Sequence, residues 1–166
     1  MLGKLLAIIV LGIVGLVAYE SGRTIDESHV REHYRTQLEA WRGFDEERIC
    51  AGIASDYSLK LVDRSGGKGA NATLDGPQSC EMSRASLRLA QQLSNQTGGL
   101  LTIDVTYDLK SIQVAADGRS ATVEATSTAK LGEMLVSRTR GRETLSRSFW
   151  RVRSHGGDAQ VWSYGG

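Results

Sequence analysis

The sequence predicts an α+β protein: one apolar N-terminal helix, then three helices packed on a strongly curved antiparallel sheet. Three observations carry this reading. Residues 5–19, LLAIIVLGIVGLVAY, form an uncharged apolar run between Lys4 and Glu20. Between residues 24 and 97, apolar side chains recur at helical spacing in three stretches, each opened by a capping residue. From Thr102 onward, apolar and polar residues alternate over long runs broken by Asp117-Gly118 and by His155-Gly156-Gly157-Asp158, which is the period of strands and turns. Strands of that length with one apolar face must twist, and the helices must cover that face.

At 166 residues the chain suits one domain plus an appendage. We divide it into an anchor and linker over 1–23 and a domain over 24–166. The 15-residue apolar run lies between the length of a signal-peptide core and that of a membrane span. A cleavage site wants small residues at the first and third positions before the cut, and Leu16 stands where Ala18 would need a small partner. We therefore expect an uncleaved single-pass anchor in the inner membrane, with Lys4 on the cytoplasmic side and the domain in the periplasm or equivalent space. Cleavage is the alternative. In an oxidising compartment Cys50 and Cys80, the only two cysteines, gain meaning as a bridge between two helices; the other reading is two buried thiols.

Taken in order, Thr24 and Glu27 have the spacing of a capping box, and Val30, Tyr34, Leu38 and Trp41 mark the first amphipathic helix. Its His29 and His33 stand four apart, a spacing that can hold a metal, but no third ligand accompanies them, so no metal is expected. Asp45 opens a second helix striped by Ile49, Ile53 and Tyr57. Tyr57, Leu59 and Leu61 then alternate as a strand that pairs with 70–74 across a loop at Arg64–Gly69, and Asp75-Gly76-Pro77 ends this hairpin. Ser79 caps a third helix through Leu89 and Leu93, stopped by Thr97-Gly98-Gly99. Asp117-Gly118 folds a hairpin in which both residues take positive φ. The last pairing joins 143–153 to 159–164 around His155–Asp158.

This order resembles the nuclear transport factor 2-like superfamily, which includes ketosteroid isomerases and polyketide cyclases. The likeness rests on ICAGIASDYSLKLVD at 49–63, ATLDG at 72–76 and SFWRVRSHGGDAQVW at 148–162, and covers about residues 26–164. It implies a cone whose open end is a pocket, walled in part by the Asp117-Gly118 hairpin. In ketosteroid isomerases a carboxylate shortly after the second helix is the general base; the matching place here holds Lys60 or Leu61, which weakens an enzymatic reading. Asp56 or Asp63 can stand in for that base with Tyr57 as hydroxyl donor, against the plainer roles of turn carboxylates and a packed ring. The resemblance also allows assembly, because similar cones on one membrane helix occur in bacterial type IV secretion machines.

The expected function is therefore a membrane-anchored, non-catalytic module that binds a protein partner or a small apolar ligand. A small-molecule isomerase or cyclase is the alternative. Formal charge is +1, and beyond residue 19 there are 19 basic and 19 acidic side chains, which excludes general nucleic-acid binding. No cofactor motif is present: SGGKG lacks the phosphate-loop spacing. The partners are the membrane through residues 5–19, a protein or ligand, and a second copy of the chain. Residues 130–166 are basic, seven against three. Strand alternation would set Arg147, Arg151 and Arg153 on one solvent-facing side for an acidic partner, with Trp150 and Trp162 on the core side.

Overall fold

The computed structural model describes residues 2–65, 70–99 and 102–164, with side chains in the first helix described from Ile9. Helix α1 (Leu2–Ser21) leaves its described side chains exposed, Leu11 by 71% and Leu16 by 69%. Among the described residues no helix is long and apolar enough to cross a membrane.

Thr24 ends α1 rather than opening the next helix: its amide and hydroxyl donate to Glu20 O at 3.2 and 3.0 Å. The cap of α2 (Glu27–Arg42) is Asp26, whose carboxylate accepts from His29 N at 2.9 Å. Val30, Tyr34 and Ala40 form its buried stripe. Asp45 caps α3 (Glu46–Ala51), but this helix is shorter than its stripe predicts, because Gly52 ends it. Ile53 and Tyr57 belong instead to β1 (Ile53–Asp63). Ile49, Ile53 and Tyr57 fit period 3.6, while Tyr57, Leu59 and Leu61 fit period 2, and pairing with two neighbouring strands settles the matter in favour of the sheet.

Strand β2 (Ala70–Asp75) pairs back on β1, while residues 66–69 of the predicted loop lie outside the described residues. Asp75-Gly76-Pro77 opens α4 (Gly76–Gln96) instead of ending in a turn, and Ser79 is not the cap. Asp75 accepts from Gln78 N at 2.8 Å, Gln78 Oε1 accepts from Asp75 N at 3.0 Å, and proline occupies the first turn, where its missing N–H costs nothing. Cys50 on α3 and Cys80 on α4 form a disulfide, Cα atoms 5.2 Å apart.

Four long strands complete the sheet: β3 (Ile103–Val114), β4 (Ser120–Leu131), β5 (Met134–Ser148) and β6 (Arg151–Ser163), in the order β2-β1-β6-β5-β4-β3. The sheet is mixed rather than wholly antiparallel, since β1 runs parallel to β6. In the β3–β4 hairpin only Gly118 takes positive φ, at 65°, and the loop closes through Gly118 N to Ala115 O at 2.8 Å. That is a longer loop than the two-residue turn predicted, a tight bend followed by one left-handed glycine.

The largest correction concerns the last hairpin. The chain reverses at Phe149-Trp150, not at His155–Asp158, and the Gly-Gly pair lies inside β6, where His155-Gly156 bulge as pairing slips between Glu143 and Leu145. Consequently Trp150 is 59% exposed rather than buried beside Trp162. Arg147 pairs with Val152 while Ser146 pairs with Arg153, so Arg147 faces away from Arg151 and Arg153. One core cluster joins Ile25, Val30, Tyr34, Ala121, Val123 and Leu145 between α2 and the sheet, and a smaller one joins Ala40, Ile49 and Leu87 among the helices.

Candidate functional site

The helix-facing side of the sheet carries a polar cluster inside an apolar cone. Strand parity directs Tyr57 and Leu59 from β1, Tyr107 from β3, Glu143 from β5 and Ser154 from β6 toward α2, which brings His33 and Tyr34 down onto them. The Tyr34 hydroxyl donates to Glu143 Oε1, and Ser154 Oγ donates to Oε2 at 2.5 Å. Ser154 Oγ accepts in turn from Gly156 N at 3.1 Å. The Tyr34 and Tyr107 rings meet edge to face, centroids 5.1 Å apart. The two bulges create this cluster: pairing slips between Ile53 and Ser58 on β1 and between Glu143 and Leu145 on β5, which bends the sheet where the cluster sits.

Tyr34, Tyr57, Tyr107 and Glu143 stand between two cavities. One, of about 150 Å³, continues past Leu59, Ala125 and Ala159. The other, of about 250 Å³, continues past Trp41, Ile49 and Met82. Burial and the Glu143 carboxylate push the Tyr34 hydroxyl far above its ordinary 10.0. The same two causes carry Tyr107 up to about 12 and raise Tyr57. Burial lowers His33 below its ordinary 6.5, and Glu143 opposes that shift in part.

These shifts predict a pH profile. Tyrosines raised in the folded state contribute fully below the unfolded value near 10.0 and lose that contribution as pH climbs beyond it. His33, lowered in the folded state, contributes above 6.5 and loses its share as pH falls below that, because the unfolded chain takes the proton first. Thermal melts should show a plateau between these limits, and His33→Asn should flatten the first part of the acid limb. An acid limb that starts only in the carboxylate range in both proteins would refute the His33 assignment.

The residues singled out in the sequence are dispersed. Tyr57 reaches the cone, but Asp56 points to the opposite face and Asp63 ends β1, its carboxylate accepting from Ser65 N at 2.8 Å. Asp56 instead meets His155 Nδ1 at 2.6 Å, and His155 Nε2 meets Ser146 Oγ at 2.7 Å. That is the connectivity of a serine nucleophile, its base and its orienting acid. The surroundings do not complete such a site: Asp56 is 70% exposed, and Ser146, near the end of β5, is laddered between Ser120 and Arg153 with no oxyanion donors grouped around it among the described residues. The array ties β1 to β5 across β6. Arg147 donates to Ser21 O and Thr24 O at 3.0 and 3.1 Å, holding the linker, whereas Arg151 and Arg153 are exposed. His29 pairs with Asp26 at 2.9 Å. Among the described residues no three potential metal ligands gather.

Glu143 is the residue that sequence reasoning missed. Its signal is parity: two places before the fully buried Leu145, it carries a charge on the apolar side of β5, just after Arg138, Arg140 and Arg142, which take the other side. No protein-family model and no curated protein sequence matches the chain. Solved structures do resemble it. Aln2 from a Streptomyces species superposes with a TM-score of 0.55 at 19% identity over 82% of this chain and 88% of that one. A nuclear transport factor 2-like protein of unknown function from Shewanella oneidensis gives 0.54 at 13% identity over 80% and 97%. A cystatin-like-fold protein of unknown function from Nostoc punctiforme gives 0.53 at 13% identity over 82% and 90%. With its helices laid into a bent six-stranded sheet around an interior polar cluster, the chain has the nuclear transport factor 2-like fold.

Proposed function

We propose that this protein is a membrane-tethered, extracytoplasmic cone domain that binds a small, mainly apolar ligand without turning it over. The observation that carries the reading is the Tyr34–Glu143–Ser154 cluster with Tyr57 and Tyr107, set between two partly apolar cavities. Apolar walls supply affinity, and a few convergent hydroxyls fix orientation. Both carboxylate oxygens of Glu143 already accept from hydroxyls, so the group is a positioning element rather than a base facing a substrate proton. The tether in this reading is the apolar run 5–19 on α1, part of whose side chains lie outside the described residues; no described helix is by itself long and apolar enough to cross a membrane. The Cys50–Cys80 bridge fits an oxidising compartment. An assembly role in an envelope complex is the narrower form of this reading, with exposed Arg151 and Arg153 as its contact for an acidic partner.

The isomerase or cyclase alternative is favoured by one observation: carboxylate and tyrosines do share the cavity wall. Ligand-observed magnetic resonance with small ketones, phenols and carboxylic acids separates the readings. Glu143→Gln and Tyr57→Phe should each weaken binding by about tenfold, on the order of 1.4 kcal/mol, and each bound compound should be recovered unchanged. A wild-type chain that binds none of them refutes the ligand reading, and one that converts a bound ketone while Glu143→Gln does not establishes the enzyme.

A further inference from the structure

The β5–β6 turn is built from residues that such a turn disfavours. Phe149 and Trp150 are consecutive and both left-handed, with φ of 48° and 67°. Two-residue hairpin turns of this kind select Asn-Gly because bulky side chains are strained there. The strain is not repaid by burial: Phe149 is 81% and Trp150 59% exposed. Strained, exposed aromatics at a hairpin tip indicate a surface that meets something apolar.

The position of the tip says what that is. Trp150 N donates to Gly22 O at 3.1 Å, directly after the end of α1. Phe149 and Trp150 line a cleft of about 570 Å³ whose other wall is Gly15, Ala18 and Tyr19. The tip therefore stands beside the last turns of the apolar run, not below them. Arginines ring the cleft: Arg23 lies over the Tyr19 ring at 5.1 Å, Arg147 lies over the Trp150 ring at 5.1 Å, and Arg119 binds Glu20 at 2.5 Å. With Glu20 paired to Arg119 and Arg147 donating to Ser21 O and Thr24 O, Arg23 is the guanidinium at the rim of the cleft with no carboxylate partner among the described residues.

We infer that the Phe149-Trp150 turn is a second membrane contact, inserted into the interfacial region of the bilayer that receives α1, with Arg23 at the phosphates. Aromatic side chains prefer that zone, and arginine stems reach from it to the headgroups. This contact fixes the tilt of the cone above the membrane, and it rests on the reading of α1 as an anchor.

The test uses the full chain reconstituted in phosphatidylcholine vesicles containing lipids brominated high on the acyl chain. Wild-type fluorescence should be quenched by about a third, one of three tryptophans. Trp150→Phe should abolish that quenching. The double variant Phe149→Asn, Trp150→Gly, which suits the turn, should melt in detergent no lower than wild type. A chain that resists carbonate extraction yet shows no quenching overturns the inference alone, leaving the turn to a protein partner. Extraction of the wild-type chain by carbonate overturns the anchor reading and this contact with it. A double variant that melts well below wild type shows that the aromatics are structural, which also overturns it.

Discussion

Gly156→Ala should leave little or no folded protein. The cost has two parts. Gly156 holds φ of 82°, where an alanine is strained by about 1–2 kcal/mol. The larger part is steric: an added Cβ would stand 2.2 Å from Ser58 O and 2.6 Å from Ser58 C, backbone atoms of the neighbouring strand that no rotamer can move. Relief requires β1 and β6 to separate at the bend that positions Tyr57, Glu143 and Ser154, so we expect a loss of about 4 kcal/mol or more, a large share of a typical domain's 5–15 kcal/mol. Gly157→Ala meets Arg142 O at 2.1 Å and should behave alike. Gly132→Ala is the control. It has φ of 59° but nothing within 4 Å, so it should cost only the backbone strain. Soluble yield and thermal melts of the three variants check this, and a Gly156→Ala chain as stable as Gly132→Ala would show that β6 does not carry this bulge.

The same glycines explain where sequence reasoning stops. His155-Gly156-Gly157-Asp158 has the composition of a turn, because turns and bulges both need left-handed residues and period-2 flanks. Phe149-Trp150, the true turn, has the composition of a strand. A hairpin placed at the wrong pair shifts the parity of everything after it. This is why the sequence pattern groups Arg147 with Arg151 and Arg153, and why it assigns Trp150 to the core. Elements fixed by local chemistry are legible: the amphipathic stripe of α2, Asp45 as a cap, the stop at Thr97-Gly98-Gly99, and the β3–β4 hairpin at Gly118. The interior cluster is not, since Tyr34, Tyr57, Tyr107, Glu143 and Ser154 come from five elements and meet only through the two bulges. What can be read is Tyr57 and its inward parity; Asp56, beside it, necessarily turns outward.

Reducing the Cys50–Cys80 bridge should lower the melting temperature by roughly 8–15 °C, from about 3–4 kcal/mol for a loop of this length and a few degrees per kcal/mol for a chain of this size. The bridged residues are 30 apart, and the loop they close contains β1, β2 and the start of α4. Two features make the bridge matter more than its entropy alone. Helix α3 has only six residues, too few to persist unaided. Its other ties to α4 include the small cluster around Ile49 and Leu87 and the pairing of Glu46 with Arg88 at 2.9 Å and with Arg84 at 3.7 Å, solvent-exposed pairings that contribute little in water. Ile49, Gly52 and Ile53 also wall the larger cavity, so loosening α3 opens the cone before the sheet fails. The Cys50→Ala, Cys80→Ala double variant should therefore melt near the reduced wild type and bind apolar ligands more weakly in proportion. If reductant leaves both melting and binding unchanged, α3 is held by its packing alone, and the bridge loses its weight as support for an oxidising compartment.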